Sequence, residues 1–212
     1  MNQNNRLGDI ARYYIKDVKI AALLGFVTAI LTFVALMMGG YTPHPILWII
    51  LMFGFPFVTF FGLLAAIALQ GMFPHAVQFA KFGIIGGLST LINLAILNTL
   101  FFFTGITSGP LFSAFVAGTF FFGLLNGFFF NKHWAFKTRT NNKLHIEFGK
   151  FVLVAFGGLI INVITASFIV NVIGAPVGVP LTFWANTGAV IAVFVAMTWN
   201  FFGYKYFVFK ED

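Results

Sequence analysis

The sequence predicts an all-α integral membrane protein with six transmembrane helices, in which an extra N-terminal hairpin precedes two parallel two-helix repeats. Composition gives the class: 60% of the 212 residues are hydrophobic and only 8% are charged, and the mean hydropathy is +0.97. A soluble domain does not carry that balance. Length gives the helix count, because six apolar runs are each long enough to cross about 30 Å of hydrocarbon as helices. They fall at roughly 20–38, 46–70, 82–104, 110–130, 151–173 and 181–203. No period-two alternation broken by regular turns is present, so a transmembrane β-barrel is not supported. An internal duplication supplies the arrangement.

Taken in order, residues 1–19 place Leu7, Ile10, Ala11, Tyr14, Ile15 and Val18 at helical spacing, with Arg6, Asp9, Arg12, Lys16 and Lys19 mostly on other faces. This pattern predicts an amphipathic helix lying in the membrane interface. The polar, charged start is too long for the n-region of a cleavable signal, so the first apolar run is expected to act as its own insertion signal. Residues 20–75 then read as an additional transmembrane hairpin without counterpart elsewhere. The Gly39-Gly-Tyr-Thr-Pro-His-Pro45 turn joins its two helices, and Gly71-Met-Phe-Pro74 interrupts the chain after it.

The two repeats cover 79–137 and 148–210. Phe79-Ala-Lys81-Phe82 matches Phe148-Gly-Lys150-Phe151, and Asn93 and Asn162 follow at the same interval. Asn126 leads into Lys132-His-Trp134-Ala-Phe136-Lys137, and Asn200 leads into Lys205-Tyr-Phe207-Val-Phe209-Lys210. Both repeats cross in the same sense, which makes them parallel repeats about an axis along the membrane normal. The second carries about four extra residues, placed most simply around Gly174–Pro180. The alternating Trp134-Ala-Phe136 and Phe207-Val-Phe209 segments suggest short extended pieces paired across the repeats.

Charge gives the orientation. Arg6, Arg12, Lys16 and Lys19 precede span one, and Lys81 lies between spans two and three. Lys132, Lys137, Arg139, Lys143 and Lys150 lie between spans four and five, and Lys205 and Lys210 follow span six. The alternate connections, 39–45, 105–109 and 174–180, hold no Lys, Arg, Asp or Glu. Both termini and every basic connection are therefore expected on the cytoplasmic side. The net charge of +7 belongs to that face, where anionic membrane lipids are the expected partners and nucleic acid is not needed to explain it.

Together these four motifs, in order within a parallel duplication, resemble the GtrA-like family of small membrane proteins. The resemblance covers about 76–212 and leaves residues 1–75 outside. It implies four membrane helices, each half opening on Lys-Phe, carrying a mid-helix Asn and closing from Asn to Trp/Phe-x-Phe. It also implies a role in cell-surface polysaccharide synthesis, with polyprenyl-phosphate-linked monosaccharides as cargo and a polyprenyl-phosphate glycosyltransferase as candidate partner. Tyr204 stands where Asn131 does, and Phe207 where Trp134 does, so the halves are not expected to contribute equally.

The residues themselves define the candidate site. Lys81, Lys132, Lys150 and Lys205 sit where helices meet the inner headgroup zone, a place suited to a lipid phosphate; anchoring by snorkelling is the alternative for each. Asn93 and Asn162 lie 12 residues past their lysines, roughly 18 Å along a helix. They either line a polar path or join helices by hydrogen bonds. Asn126 and Asn200 sit nearer the lysines and suit contact with a headgroup or sugar hydroxyl. Trp134 and Phe207 are candidates for stacking on a sugar face, although aromatic residues at this level also form interfacial belts. Gly83–Gly87 and Gly123–Gly127 have the small-xxx-small spacing of close helix packing.

Absences narrow the function. The apolar runs contain no ionisable side chain, which argues against proton-coupled transport. No phosphate-binding Gly-Lys-Ser/Thr loop is present. The four histidines show no ligand spacing with carboxylates, and the chain has no cysteine. No enzyme, catalytic residue, metal or cofactor is expected. The favoured function is facilitative flipping of the lipid-linked sugar between the repeats. The alternative is a non-transporting membrane partner that recruits the glycosyltransferase through its amphipathic tail and the basic 131–150 loop. A small solute channel is disfavoured by the lysines, and a second copy of the chain is a further candidate partner.

Overall fold

The computed structural model describes residues 3–42, 44–106, 108–138, 144–179 and 181–210, without the side chains of residues 3–13, 109, 112, 113, 181–183, 185, 186 and 189. Among the described residues the regular structure is helical: α1 Gln3–Met38, α2 Pro45–Leu69, α3 Ala76–Thr104, α4 Gly109–Phe130, α5 Leu144–Ser167 and α6 Leu181–Gly203, with π-helical turns at Asn131–Ala135, Phe168–Ile173 and Tyr204–Val208. Among the described residues six segments are long and apolar enough to cross a membrane: Tyr14–Met38, Pro45–Leu69, Ala76–Thr104, Ala114–Ala135, Leu144–Ile173 and Val190–Val208. Two compact units result, Met1–Ala135 and Phe136–Asp212.

The N-terminal segment and the first span are one helix. Nothing breaks α1 near residue 19, and the candidate span starts at Tyr14. The side chains of Arg6, Leu7, Asp9, Ile10, Ala11 and Arg12 lie outside the described residues. From Tyr14 onward α1 packs inside the first unit along Asp17, Ala21, Leu24, Thr28 and Ala35, all buried, at the spacing of one helix face. The Tyr14 hydroxyl donates to Gln70 Oε1 at 2.7 Å.

In the first unit α1 packs against both α2 and α3. Gly25 permits the α1–α2 crossing, since a Cβ there would fall on the Thr59 hydroxyl and 2.7 Å from Pro56 Cα. Pro56 lies inside α2 and offers no N–H to its own helix. Thr59 donates to the carbonyls of Phe55 and Pro56 at 3.0 and 3.1 Å, beside that gap in the helix. Farther along, Asn98 on α3 donates to the Ala35 carbonyl of α1 at 2.9 Å.

The second unit pairs α5 with α6. Trp199 Nε1 donates to the Val154 carbonyl at 3.1 Å and lies against Gly157. Near the other end Trp184 Nε1 donates to the Ile169 carbonyl at 3.1 Å. Phe151 stacks on Tyr204 with centroids 4.2 Å apart, and Phe136 on Phe209 at 5.4 Å. Each unit's long connection begins at a glycine with positive φ, Gly105 at 69° and Gly174 at 73°, a conformation that favours glycine. The connection then runs 105–108 in the first unit and 174–180 in the second.

The segments expected to be extended are π-helical instead. Phe209 N donates to the Tyr204 carbonyl at 2.8 Å, five residues back. The physical reason is hydrogen bonding at the end of a membrane helix: a π turn keeps backbone groups satisfied within the segment, whereas a short strand needs a partner strand.

Candidate functional site

In each unit the lysine that opens the hairpin lies over the aromatic ring of the π turn that closes it. Lys81 Nζ is 5.5 Å from the Trp134 ring centroid, and Lys150 Nζ is 5.1 Å from that of Phe207. Both distances suit a cation–π contact. Helix geometry brings these residues together: the hairpin returns the chain to its starting level, and the π turn widens the last coil where the ring projects. Lys205 makes a similar contact with its neighbour Tyr206, at 5.4 Å. Lys132 is 1% exposed, and Asn131 beside it is also buried, its amide donating to the Gly127 carbonyl at 2.7 Å.

The two lysine–aromatic pairs differ in what surrounds them. Lys81 is 2% exposed and Trp134 5%. The Lys81 ammonium donates to Asp17 Oδ2 at 2.6 Å and to the Trp134 carbonyl at 3.4 Å. The Trp134 indole N–H donates to the other oxygen, Asp17 Oδ1, at 3.1 Å. One carboxylate thus accepts from a cation and an indole at once, which is the arrangement a buried charge requires. In the second unit Lys150 is only half-buried and Phe207 is 51% exposed. Among the described residues Lys150 forms no ion pair. Phe207 has no N–H to offer an anion, but it presents an open ring face.

Sequence reasoning missed Asp17. A signal was available: Asp17 shares the stripe of Tyr14, Ala21 and Leu24, and a carboxylate on the apolar face of a membrane helix needs a partner. The expectation of no ionisable groups inside the spans is corrected accordingly. The spans run Tyr14–Met38, Ala76–Thr104, Ala114–Ala135, Leu144–Ile173 and Val190–Val208, so Lys132, Glu147, Lys150 and Lys205 lie within them near their ends, as do Asp17 and Lys81, whose mutual neutralisation makes burial tolerable.

The asparagines fall into two groups. Asn126 Nδ2 donates to Ser89 Oγ at 2.8 Å, joining α4 to α3. Asn93 lies over Gly123, and Asn200 over Gly158; a Cβ on either glycine would collide with the amide. The direction reverses between units, since Asn93 reaches from the first helix of its hairpin and Asn200 from the second. Asn93 Oδ1, Asn200 Oδ1 and Asn131 Oδ1 are buried without a hydrogen-bond partner among the described residues. Asn162 is half-buried and makes no hydrogen bond there. An unpaired carbonyl in a membrane helix is costly; those of Asn93 and Asn200 lie closed against Gly123 and Gly158.

No group of three or more His, Cys, Asp or Glu that could hold a metal occurs among the described residues. A family model described as GtrA/DPMS, transmembrane domain, matches residues 81–209, from the Asp17-paired lysine to the phenylalanine that ends the second hairpin. No curated protein and no solved structure matched the chain. With its six candidate spans and a match over well more than half its length, the chain belongs to the GtrA/DPMS transmembrane domain family and is a multi-pass membrane protein.

Proposed function

We propose that this protein facilitates movement of a polyprenyl-phosphate-linked monosaccharide across the membrane, for use in polysaccharide glycosylation. Family membership implies the glycosylation setting, and members are in general not catalytic. The observation that carries the transport reading is the pair of buried, unpartnered amide oxygens, Asn93 Oδ1 and Asn200 Oδ1. A helix-joining asparagine spends its carbonyl on a neighbour, as a side chain in hydrocarbon should. These two keep theirs, closed against Gly123 and Gly158, and a sugar hydroxyl that parts the helices there finds an acceptor with no protein partner to displace.

In this reading the lipid phosphate docks at a lysine of the inner membrane face that no carboxylate occupies, the sugar passes along the asparagine-bearing helices, and the prenyl tail stays in lipid. Loss of water around the sugar is offset by hydrogen bonds to protein acceptors, worth a net ~1 kcal/mol each. Consumption of the sugar donor outside drives net movement, so no ion gradient or nucleotide is required. Both termini face the cytoplasm.

Reconstitution tests the proposal. Purified protein in vesicles carrying a short-chain prenyl-phosphate monosaccharide should speed exchange of that lipid between leaflets without any gradient. Protein that captures a polyprenyl-phosphate glycosyltransferase yet moves no lipid would favour the recruiting role instead.

A further inference from the structure

We propose that the two lysine–aromatic pairs are not equivalent binding sites: the chain's own Asp17 occupies the first, and a lipid phosphate is taken up only at the second, Lys150–Phe207. This inference rests on the translocation reading for its ligand and on geometry for its asymmetry.

The two pairs match in position and contact, with a lysine 5.5 Å from Trp134 in one unit and 5.1 Å from Phe207 in the other. They differ in access. In the first unit the anion position is taken: the Asp17 carboxylate accepts from the Lys81 ammonium and the Trp134 indole, and all three residues are 5% exposed or less. Cation and indole converge on a single carboxylate as they would on an oxygen pair of a phosphate. Asp17 comes from α1, outside the residues 81–209 that the family model matches, so the extra N-terminal helix supplies the resident anion. In the second unit the lysine is half-buried and has no carboxylate partner among the described residues, and the ring beside it is half exposed. A phosphate there meets an available ammonium, and the sugar it carries meets an aromatic face. The Lys81 ammonium is already neutralised by Asp17 and buried, so it offers nothing to a second anion. One phosphate per chain follows.

The test is titration of farnesyl phosphate onto the full-length protein in phosphatidylcholine nanodiscs, with stoichiometry read by native mass spectrometry. Wild type should saturate at one equivalent. Lys150→Gln should weaken binding at least fivefold. Asp17→Leu with Lys81→Met exchanges the buried pair for apolar side chains of similar bulk, a change that buried ion pairs often tolerate, and should leave affinity within twofold of wild type. Unaltered binding in K150Q, loss of binding in the folded double variant, or two equivalents on wild type would each overturn the asymmetry. So would failure of wild type to saturate. Inorganic phosphate should give no saturation, and saturation by it would overturn the lipid assignment. Single-site binding as described, in a protein that moves no lipid, would leave the asymmetry standing and remove the translocation reading.

Discussion

Asp17 and Lys81, 64 residues apart in the chain, meet at 2.6 Å with side chains 5% and 3% exposed. The contact ties α1, which precedes the family domain, to the first residue that the family model matches. Two charges removed from water stabilise the fold only while both are present. The energetics are therefore asymmetric between breaking the pair and replacing it.

Asp17→Ala should accordingly destabilise the protein strongly, by about 3–5 kcal/mol, because it strands a buried ammonium. The double change Asp17→Leu with Lys81→Met should be close to neutral. Thermal unfolding in detergent compares them, and equal losses in the two variants would mean that burial of the charge is not what sets the cost.

Trp134→Phe reproduces in the first unit the residue found in the second. It should cost about 1.5–3 kcal/mol, the range for a hydrogen bond to a charged group, since Asp17 Oδ1 loses the indole donor. The same unfolding measurement checks it. A loss below about 0.5 kcal/mol would show that the carboxylate is satisfied without Trp134.

The Asn–Gly contacts predict a second pattern. Gly123→Ala and Gly158→Ala place a methyl on the amides of Asn93 and Asn200 and should each destabilise by about 1–3 kcal/mol, as overpacking does. Gly86→Ala meets nothing within 4 Å and should be neutral or slightly stabilising, since alanine is the better helix former. Equal effects at Gly86 and Gly158 would contradict the packing described.

Topology is open to labelling. Cysteines at Thr42 and Val177, both exposed in connections free of charge, should react with an impermeant thiol reagent added outside intact cells. One at Lys210, exposed at the far end of the second hairpin, should react only after permeabilisation. Labelling of Lys210→Cys from outside would reverse the assigned orientation.

The helices were legible in the sequence because crossing about 30 Å of hydrocarbon demands long apolar runs, and nothing else in the chain competes with that signal. The matched order of Lys81 and Trp134 with Lys150 and Phe207 put each ring at its lysine's end of the hairpin, but the cation–π contacts themselves were not legible, since they depend on side-chain direction. The π turns were not legible either, because a π turn differs from an α turn by one hydrogen-bond step, which residue type does not encode, while Trp-Ala-Phe alternates like a strand. Asp17 escaped for a different reason. Its partner is 64 residues away, and only the packing of α1 against α3 brings them together. The asparagines were visible as polar residues at depth, yet which of them bonds a neighbour depends on side-chain direction: Asn126 finds Ser89, while Asn93 settles on a glycine.

The proposed transport rests on the amide oxygens of Asn93 and Asn200, which are without a hydrogen-bond partner among the described residues, so their joint replacement by leucine in a reconstituted flipping assay is its most direct test. Leucine keeps similar bulk and removes two acceptors that bond nothing in the protein, so stability should stay within about 1 kcal/mol of wild type. Wild type should exchange a short-chain prenyl-phosphate monosaccharide between leaflets without a gradient, and the folded double variant should do so at least tenfold more slowly while still binding farnesyl phosphate. Exchange at the wild-type rate in a stable double variant would contradict the proposed transport.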